Sequence, residues 1–237
     1  VIREKVELVI TSVGSPAALV APLHDAGCRV LADVATLAHA EKALAAGVDG
    51  LVLLCAGAGG PSGWVSPFAG VRSVRALFDG PLVVAGGLSD GHALWAAQAL
   101  GADLGYMGTR FIATPESLAS EAQRRMLVDA NWDDIVSSSA FTGLPVNWLR
   151  PSLLAAGLDP DALDTASLKA SAAELFGTRD ARSPRRWTEL FSAGHSVAGV
   201  HAVHAVAALV DELAGEYDAA RLRSLALAPA GTSRPPA

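Results

Sequence analysis

The residue pattern that most restricts the fold is an alternation of short apolar runs and helix-like segments over the first half of the chain. The apolar runs begin at Val6, Arg29, Gly50, Pro81 and Leu104. Strands that alternate with helices about every 20–30 residues are typical of a parallel α/β sheet, and runs that are apolar throughout suit a sheet covered on both faces. Five such units predict either a five-stranded doubly wound sheet or part of an (α/β)8 barrel, and periodicity does not separate the two.

The second half of the chain follows a different pattern. Thr114 and Pro115 are suited to cap and open a helix, which is predicted to run to about Ala130. Residues 132–152 contain Gly143, Pro145 and Pro151, so they are expected to be irregular.

Helices are also predicted closer to the C-terminus. Residues 160–185 suit one or two short helices with loops, and residues 196–222 suit a long helix broken near Gly199. Residues 228–237 contain three prolines, counted directly in the sequence, so a disordered tail is expected.

Composition excludes several classes of function. The chain has 237 residues, 18 of them basic and 24 acidic, so its net charge of −6 gives no basic footprint for nucleic acid. No apolar run reaches the roughly 18 residues of a membrane span. Cys28 and Cys55 do not make a disulfide framework, and without a visible secretory signal a cytoplasmic location is expected. Asp33 and Asp49 lack His or Glu at ligand spacing, so no metal site is predicted.

Two apolar runs between residues 81 and 111 each end in glycine before a helix-like segment. The first ends in Gly86 and Gly87, and the second ends in Gly108 and Thr109. Glycine lets the backbone approach a ligand closely, and in (α/β)8 barrels the loops after strands seven and eight often hold a phosphate. The pattern therefore predicts either a phosphate site or two ordinary strand-to-helix turns.

Several longer motifs resemble those of the nitronate monooxygenase family, formerly called 2-nitropropane dioxygenase. These motifs are AGAGGPSGWVSPF from Ala56, VVAGGLSDG from Val83, YMGTRFIAT from Tyr106 and SAFTGLPVNWLR from Ser139, and RRWTELFSAGHSV resembles the closing segment of the family. The resemblance implies a TIM-barrel-type FMN-binding fold with a small helical C-terminal domain. It also implies that three barrel strands would precede Val1. The expected division is barrel at 1–130, helical cap and closing helix at 131–227, and tail at 228–237.

The resemblance also implies which residues bind the cofactor. The residues that match the FMN-contacting positions of the family are Gly59, Gly60, Gly86, Gly87, Met107, Gly108 and Thr109. Leu54 and Tyr106 stand where glutamine is often found, so one polar contact to the flavin differs from the family pattern.

Pro61 is the largest departure from the family, because the matching residue is a histidine that resembles the catalytic base. Proline has no titratable group, so proton abstraction by that route is absent. The catalytic residues therefore stay unknown. A substrate that arrives as an alkyl nitronate would need no base, and FMN with O2 could still oxidise it. The alternatives are a flavin-dependent enoyl-thioester reductase and a catalytically inactive flavin-binding protein. A homo-oligomer is compatible with each of these functions.

Four further residues have both a functional and a structural interpretation. His195 could reach the flavin edge, although a histidine satisfied at a helix start is favoured. Cys55 could touch the cofactor, but a small apolar filler is the commoner role. Trp64 suits a ligand cover or an interface equally. Arg110 lies beside the phosphate turn, and pairing with a carboxylate would explain it as well.

Overall fold

The structure is a computed structural model that describes residues 1–163 and 189–227. The strands in this part of the chain are β1 Leu8–Thr11, β2 Arg29–Val34, β3 Gly50–Leu54, β4 Gly60–Pro61, β5 Leu82–Ala85, β6 Leu104–Tyr106, β7 Ile135–Ser138 and β8 Val146–Leu149. The α-helices among the same residues are α1 Ala17–Asp25, α2 Leu37–Ala45, α3 Pro67–Arg75, α4 Gly91–Leu100, α5 Thr109–Ile112, α6 Glu121–Asp129, α7 Arg150–Ala155 and α8 Val206–Ala226.

Five strands form a parallel sheet in the order β1-β2-β3-β5-β6. The predicted α/β architecture with five parallel strands is therefore confirmed. The strand starts agree with the sequence prediction except that β1 begins at Leu8 and β5 at Leu82. Strands β1 and β6 are the two edges of this sheet.

The two faces of the sheet are buried to different extents. One face packs against the helices through the main hydrophobic core, in which Val30, Leu51 and Leu82 are fully buried. The opposite face has a smaller buried cluster of Leu31, Val52 and Val83 at its centre. On the edge strands, the outer members of this second face are largely exposed, namely Leu8, Ile10, Leu104 and Tyr106. The second face is thus covered only in the middle by the described residues.

Side-chain caps mark the first turns of two helices that lie between strands of the parallel sheet. The hydroxyl of Thr36 accepts the His39 N–H at the start of α2, and the Asp90 carboxylate accepts the Ala93 N–H at the start of α4. Helix α8 packs closely on α4 at Gly91, where a Cβ would overlap the α8 backbone at Leu213 and Tyr217. Among residues 1–163 and 189–227, no helix has both the length and the apolar composition needed to cross a bilayer.

The prediction that a helix begins at Thr114 is wrong. Helix α5 ends at Ile112, and α6 begins only at Glu121. The hydroxyl of Thr114 donates to the Phe111 carbonyl, so it closes the preceding turn instead of capping a new helix. The hydroxyl of Ser120 accepts the Gln123 N–H and is the actual cap.

The irregular structure predicted for 132–152 is also wrong. Strands β7 and β8 pair antiparallel, and β8 pairs on its other side with β4 to form a three-stranded sheet. Trp148 is completely buried in this sheet, and its indole Nε1 donates to the Ser138 carbonyl. Burial of Trp148 stabilises the strand pairing, which outweighs the turn-forming tendency of the glycine and prolines in this segment.

The C-terminal helix is shorter at its start than predicted. A 3₁₀ helix covers His195–Gly199, and α8 begins only at Val206. The helices predicted for 160–185 fall almost entirely outside the described residues, as does the tail at 228–237. The division into a barrel part and a helical cap stays a prediction.

Candidate functional site

Two glycine turns lie side by side at the carboxyl ends of β5 and β6. Ala85 and Tyr106 are paired in register, and Gly87 and Gly108 each come two residues later. Gly86 has a φ of 126° and Gly87 a φ of 72°, both in the region that favours glycine. The parallel pairing therefore places the two predicted phosphate turns at one edge of the sheet.

The backbone of these turns is available to a ligand. Among the described residues, the N–H groups of Gly86, Gly87 and Gly108 have no protein hydrogen-bond acceptor. A Cβ at Gly87 or at Gly108 would meet no atom within 4 Å. At Gly87 and Gly108 free amides therefore lie beside open space, as the oxygens of a phosphate require, so these residues fit the phosphate of FMN.

The glycine-rich loop after β3 is held by the small antiparallel sheet. Asn147 is buried on β8, and its Nδ2 donates to the Ala58 carbonyl at 2.8 Å and to the Ser62 hydroxyl at 3.2 Å. The Ser62 N–H donates to the Pro145 carbonyl at 3.1 Å. Asn147 is thus a positioning residue for the loop that sequence reasoning missed, although its motif belonged to the resemblance.

A closing segment, defined here as residues 193–199, joins the loop to the second glycine turn. The Gly194 N–H donates to the Thr109 hydroxyl at 3.0 Å, and the His195 N–H donates to the Gly57 carbonyl at 2.9 Å. A Cβ at Gly59 would lie 2.9 Å from the Gly194 nitrogen. The loop, the closing segment and the turn after β6 therefore meet at one point.

The structure gives different surroundings to the residues predicted to bind FMN. Gly87 and Gly108 face open space. A Cβ at Gly59 would meet Gly194 and Thr109, and a Cβ at Gly86 would lie 2.9 Å from the Ala56 carbonyl oxygen. These two glycines thus permit close packing of the protein on itself.

The remaining predicted residues also differ in what surrounds them. Gly60 has a φ of 75° and pairs with Asn147. Thr109 is buried and accepts the Gly194 N–H. Met107 packs against the main core and lines a cavity of about 470 Å³ between β6 and α8. Their contacts with the cofactor remain a prediction.

His195, in the closing segment, packs against the glycine-rich loop that follows β3. Its ring occupies the space beside Gly57, where a Cβ would be 2.7 Å from Nδ1. His195 begins the 3₁₀ helix, and its ring makes no hydrogen bond with any described residue. The side chain is exposed at the carboxyl end of the sheet. Its backbone is therefore fixed, while its ring nitrogens stay open to solvent.

Two other titratable groups lie near the carboxyl ends of the strands: Cys55 is buried and Asp33 is half-buried. Burial raises the pKa of the Cys55 thiol to about 11, so this thiol is neutral at pH 7 and suits the predicted filler role. Burial also raises the pKa of the Asp33 carboxyl, and a hydrogen bond with Ser12 offsets part of that effect. Trp64 is 83% exposed on the loop.

One group of residues has ligand-capable atoms close together. Asp90, His92 and Glu216 place such atoms within 4.8 Å of one another. Both carboxylates already accept N–H groups at the start of α4, Asp90 from Ala93 at 2.7 Å and Glu216 from Gly91 at 2.9 Å. Helix capping therefore accounts for the positions of both acidic side chains.

Comparison with known proteins identifies the family. The family model described as nitronate monooxygenase matches residues 1–216. This chain belongs to the nitronate monooxygenase family. The resemblance of the glycine-rich loop and of the two glycine turns is thereby confirmed at the level of the family.

Curated relatives carry more than one activity in their names. A nitronate monooxygenase of Paraburkholderia phytofirmans is 34% identical over 67% of this chain and 46% of its own length. The (3aS,4S,5R,7aS)-5-hydroxy-7a-methyl-1-oxo-octahydro-1H-indene-4-carboxyl-CoA dehydrogenase of Rhodococcus jostii is 30% identical over 90% of this chain and 68% of its own length. The chain spans less than half the length of two of the curated relatives it matches.

Solved structures agree on the fold. FabK from Thermotoga maritima superposes with a TM-score of 0.73 at 26% identity, covering 94% of this chain and 72% of its own. Nitroalkane oxidase from Streptomyces ansochromogenes gives a TM-score of 0.70 at 24% identity, covering 94% and 67% of the two chains. These likenesses confirm the expected α/β fold of TIM-barrel type.

Proposed function

We propose that this protein is an FMN-dependent oxidoreductase that oxidises alkyl nitronates with O2. The observation that carries the proposal is the pair of glycine turns after β5 and β6, with free amides and open space at Gly87 and Gly108. Membership of the nitronate monooxygenase family supports the choice of flavin and of substrate.

The residues of the site would hold the cofactor through its phosphate. The N–H groups of Gly86, Gly87 and Gly108 would donate to phosphate oxygens. The Thr109 hydroxyl accepts from Gly194, so its own proton stays available to donate to the same group. When bound, FMN supplies the redox chemistry, and the protein contributes position and surroundings.

Pro61 sets the form in which the substrate must arrive. Pro61 lies in β4, paired with Val146, and has no group that can take a proton. We therefore propose that the substrate binds already as the nitronate anion. The Cys55 thiol is not the base that replaces the missing histidine, because its raised pKa keeps it protonated at neutral pH.

A flavin-dependent enoyl-thioester reductase is the second candidate. Two observations favour it: the relative from Rhodococcus jostii is named as a carboxyl-CoA dehydrogenase, and its match extends over 90% of this chain. A catalytically inactive flavin-binding protein is the third candidate, because of Pro61. Each of the three would use the same phosphate turns.

A spectrum and two substrates distinguish these candidates. We expect the purified protein, with added FMN, to give the absorption bands of bound flavin and to consume O2 when propyl-2-nitronate is supplied. Oxidation of NADH with an enoyl thioester, without activity on the nitronate, would instead establish the reductase. Bound flavin without turnover of either substrate would indicate the inactive protein, and unchanged free-flavin bands would contradict all three.

We also propose a cellular location and a set of partners for the protein. The free, buried thiols of Cys28 and Cys55 suit a protein of the cytoplasm. A small-molecule substrate together with O2 is the proposed set of partners, and self-association into a homo-oligomer is compatible with the exposed edges β1 and β6.

A further inference from the structure

We propose that Arg110 is a positioning residue that holds the Gly108–Thr109 turn in the geometry needed to bind a phosphate group. This inference rests on the proposed function, since the phosphate is that of FMN. It goes beyond that function because Arg110 contacts the closing segment and α8 and is expected to touch no part of the cofactor.

Arg110 is a buried charge with partners from distant parts of the chain. Only 7% of the residue is exposed. Its Nη2 lies 3.0 Å from the Glu212 carboxylate on α8, and its Nη1 donates to the Gly199 carbonyl in the closing segment. The Nε has no hydrogen-bond partner among the described residues. A guanidinium buried with one donor unsatisfied is costly, so its presence here calls for a specific role.

The contacts of Arg110 fix the turn from its C-terminal side. Arg110 follows Thr109 directly, and Thr109 is itself tied to Gly194 at the other end of the closing segment. Two successive residues after Gly108 are therefore anchored to residues 194–199. With the turn fixed in this way, the Gly108 amide does not have to become ordered when an anion binds, which favours affinity.

Lysine cannot reproduce this arrangement. The planar guanidinium reaches a carbonyl and a carboxylate in two directions at once, whereas an ammonium is a single point charge on a flexible stem. Arg110→Lys thus keeps the positive charge beside Glu212 and loses the simultaneous contact with Gly199. The substitution separates positioning from simple charge balance.

Arg75 provides a matched control at the opposite ends of the same two strands. Its Nε donates to the Gly101 carbonyl at 2.8 Å, its Nη1 donates to the Gly80 carbonyl at 2.8 Å, and its Nη2 lies 2.7 Å from Asp103. Gly80 precedes β5 and Asp103 precedes β6. Arg75→Lys therefore disturbs an arginine that makes more hydrogen bonds than Arg110 and that lies far from the glycine turns.

The test compares the affinities for FMN and for riboflavin, which lacks the phosphate. Flavin fluorescence quenching is titrated with wild-type protein, Arg110→Lys and Arg75→Lys. We expect Arg110→Lys to raise the Kd for FMN about tenfold and to leave the Kd for riboflavin unchanged. For Arg75→Lys we expect the ratio of the two affinities to equal that of the wild type, even if its melting temperature falls.

Each outcome is decisive for one of the two claims. If the wild type binds riboflavin as tightly as FMN, the phosphate site itself is wrong and the inference falls with it. If the wild type prefers FMN and Arg110→Lys retains the full preference, the site stands and the role of Arg110 is refuted. Should Arg110→Lys fail to fold, Glu212→Gln takes its place, with a smaller loss of the FMN preference expected and an unchanged preference refuting the inference.

Discussion

Replacing Gly87 with aspartate is expected to remove FMN from the protein, with the Kd rising about 100-fold or more, because like charges brought together cost several kcal/mol. The new side chain would extend into the open space beside the turn, where a Cβ meets no atom within 4 Å. Its carboxylate would then occupy the region in which we place the phosphate. The positive φ of 72° at this residue adds backbone strain to the electrostatic repulsion.

Gly27→Asp is the control for that strain. Gly27 has a φ of 80°, its Cβ position is likewise open, and it precedes β2 at the opposite end of the sheet. Gly27→Asp should therefore cost a similar amount of stability and leave FMN binding unchanged. Titrating both variants with FMN gives the comparison, and an equal affinity for FMN in the two would contradict the phosphate site.

The parallel sheet was predictable from the sequence because its signals are local and repeated. The central strands β3 and β5 are continuous apolar runs, and two of the helices between strands begin at recognisable caps, Thr36 and Asp90. Apolar side chains of these strands are also the ones that pack against the helices in the main core. The choice between a doubly wound sheet and a barrel depended on the family, because local periodicity is the same in both.

The second half was harder because tertiary contacts override its local signals. Thr114 has the sequence features of a helix cap, yet its hydroxyl is used by the preceding turn. Strand β8 lies between Pro145 and Pro151, which argued against a strand. It forms because Trp148 is buried and because the segment pairs with both β4 and β7.

The candidate site was predictable only in part for a similar reason. The glycines after β5 and β6 could be found because they end apolar runs, and the pairing of those strands brings the two turns together. The supporting residues act over long separations in the sequence. Asn147 holds a carbonyl 89 residues away, and Arg110 is bonded to Glu212 across 102 residues. No local pattern indicates such partners.

Gly194 is the residue on which the assembly of the loop and the turn depends most closely. A Cβ at this position would overlap the Gly57 carbonyl oxygen and lie 2.8 Å from the Gly59 nitrogen. Both obstacles are backbone atoms, so no side-chain rotation can relieve them. The φ of Gly194 is −95°, and alanine would therefore be excluded by packing alone and not by backbone conformation.

Gly194→Ala is expected to lower the free energy of unfolding by about 3 kcal/mol, the upper range for overpacking at a close contact. The closing segment would have to move away from the loop, which breaks the hydrogen bond from the Gly194 N–H to Thr109. Because Thr109 lies in the turn proposed to bind phosphate, the affinity for FMN should fall together with the stability.

Gly215→Ala is the matched control, since Gly215 lies within α8 and its Cβ would meet no atom within 4 Å. An alanine in the interior of a helix is expected to raise stability by about 0.5–1 kcal/mol. Urea unfolding of both variants, followed by FMN titration, measures the two effects. If Gly194→Ala unfolds at the same urea concentration as the wild type, the closing segment does not pack on the loop as described. If Gly194→Ala loses stability but keeps the wild-type affinity for FMN, the closing segment supports the fold without positioning the phosphate turn.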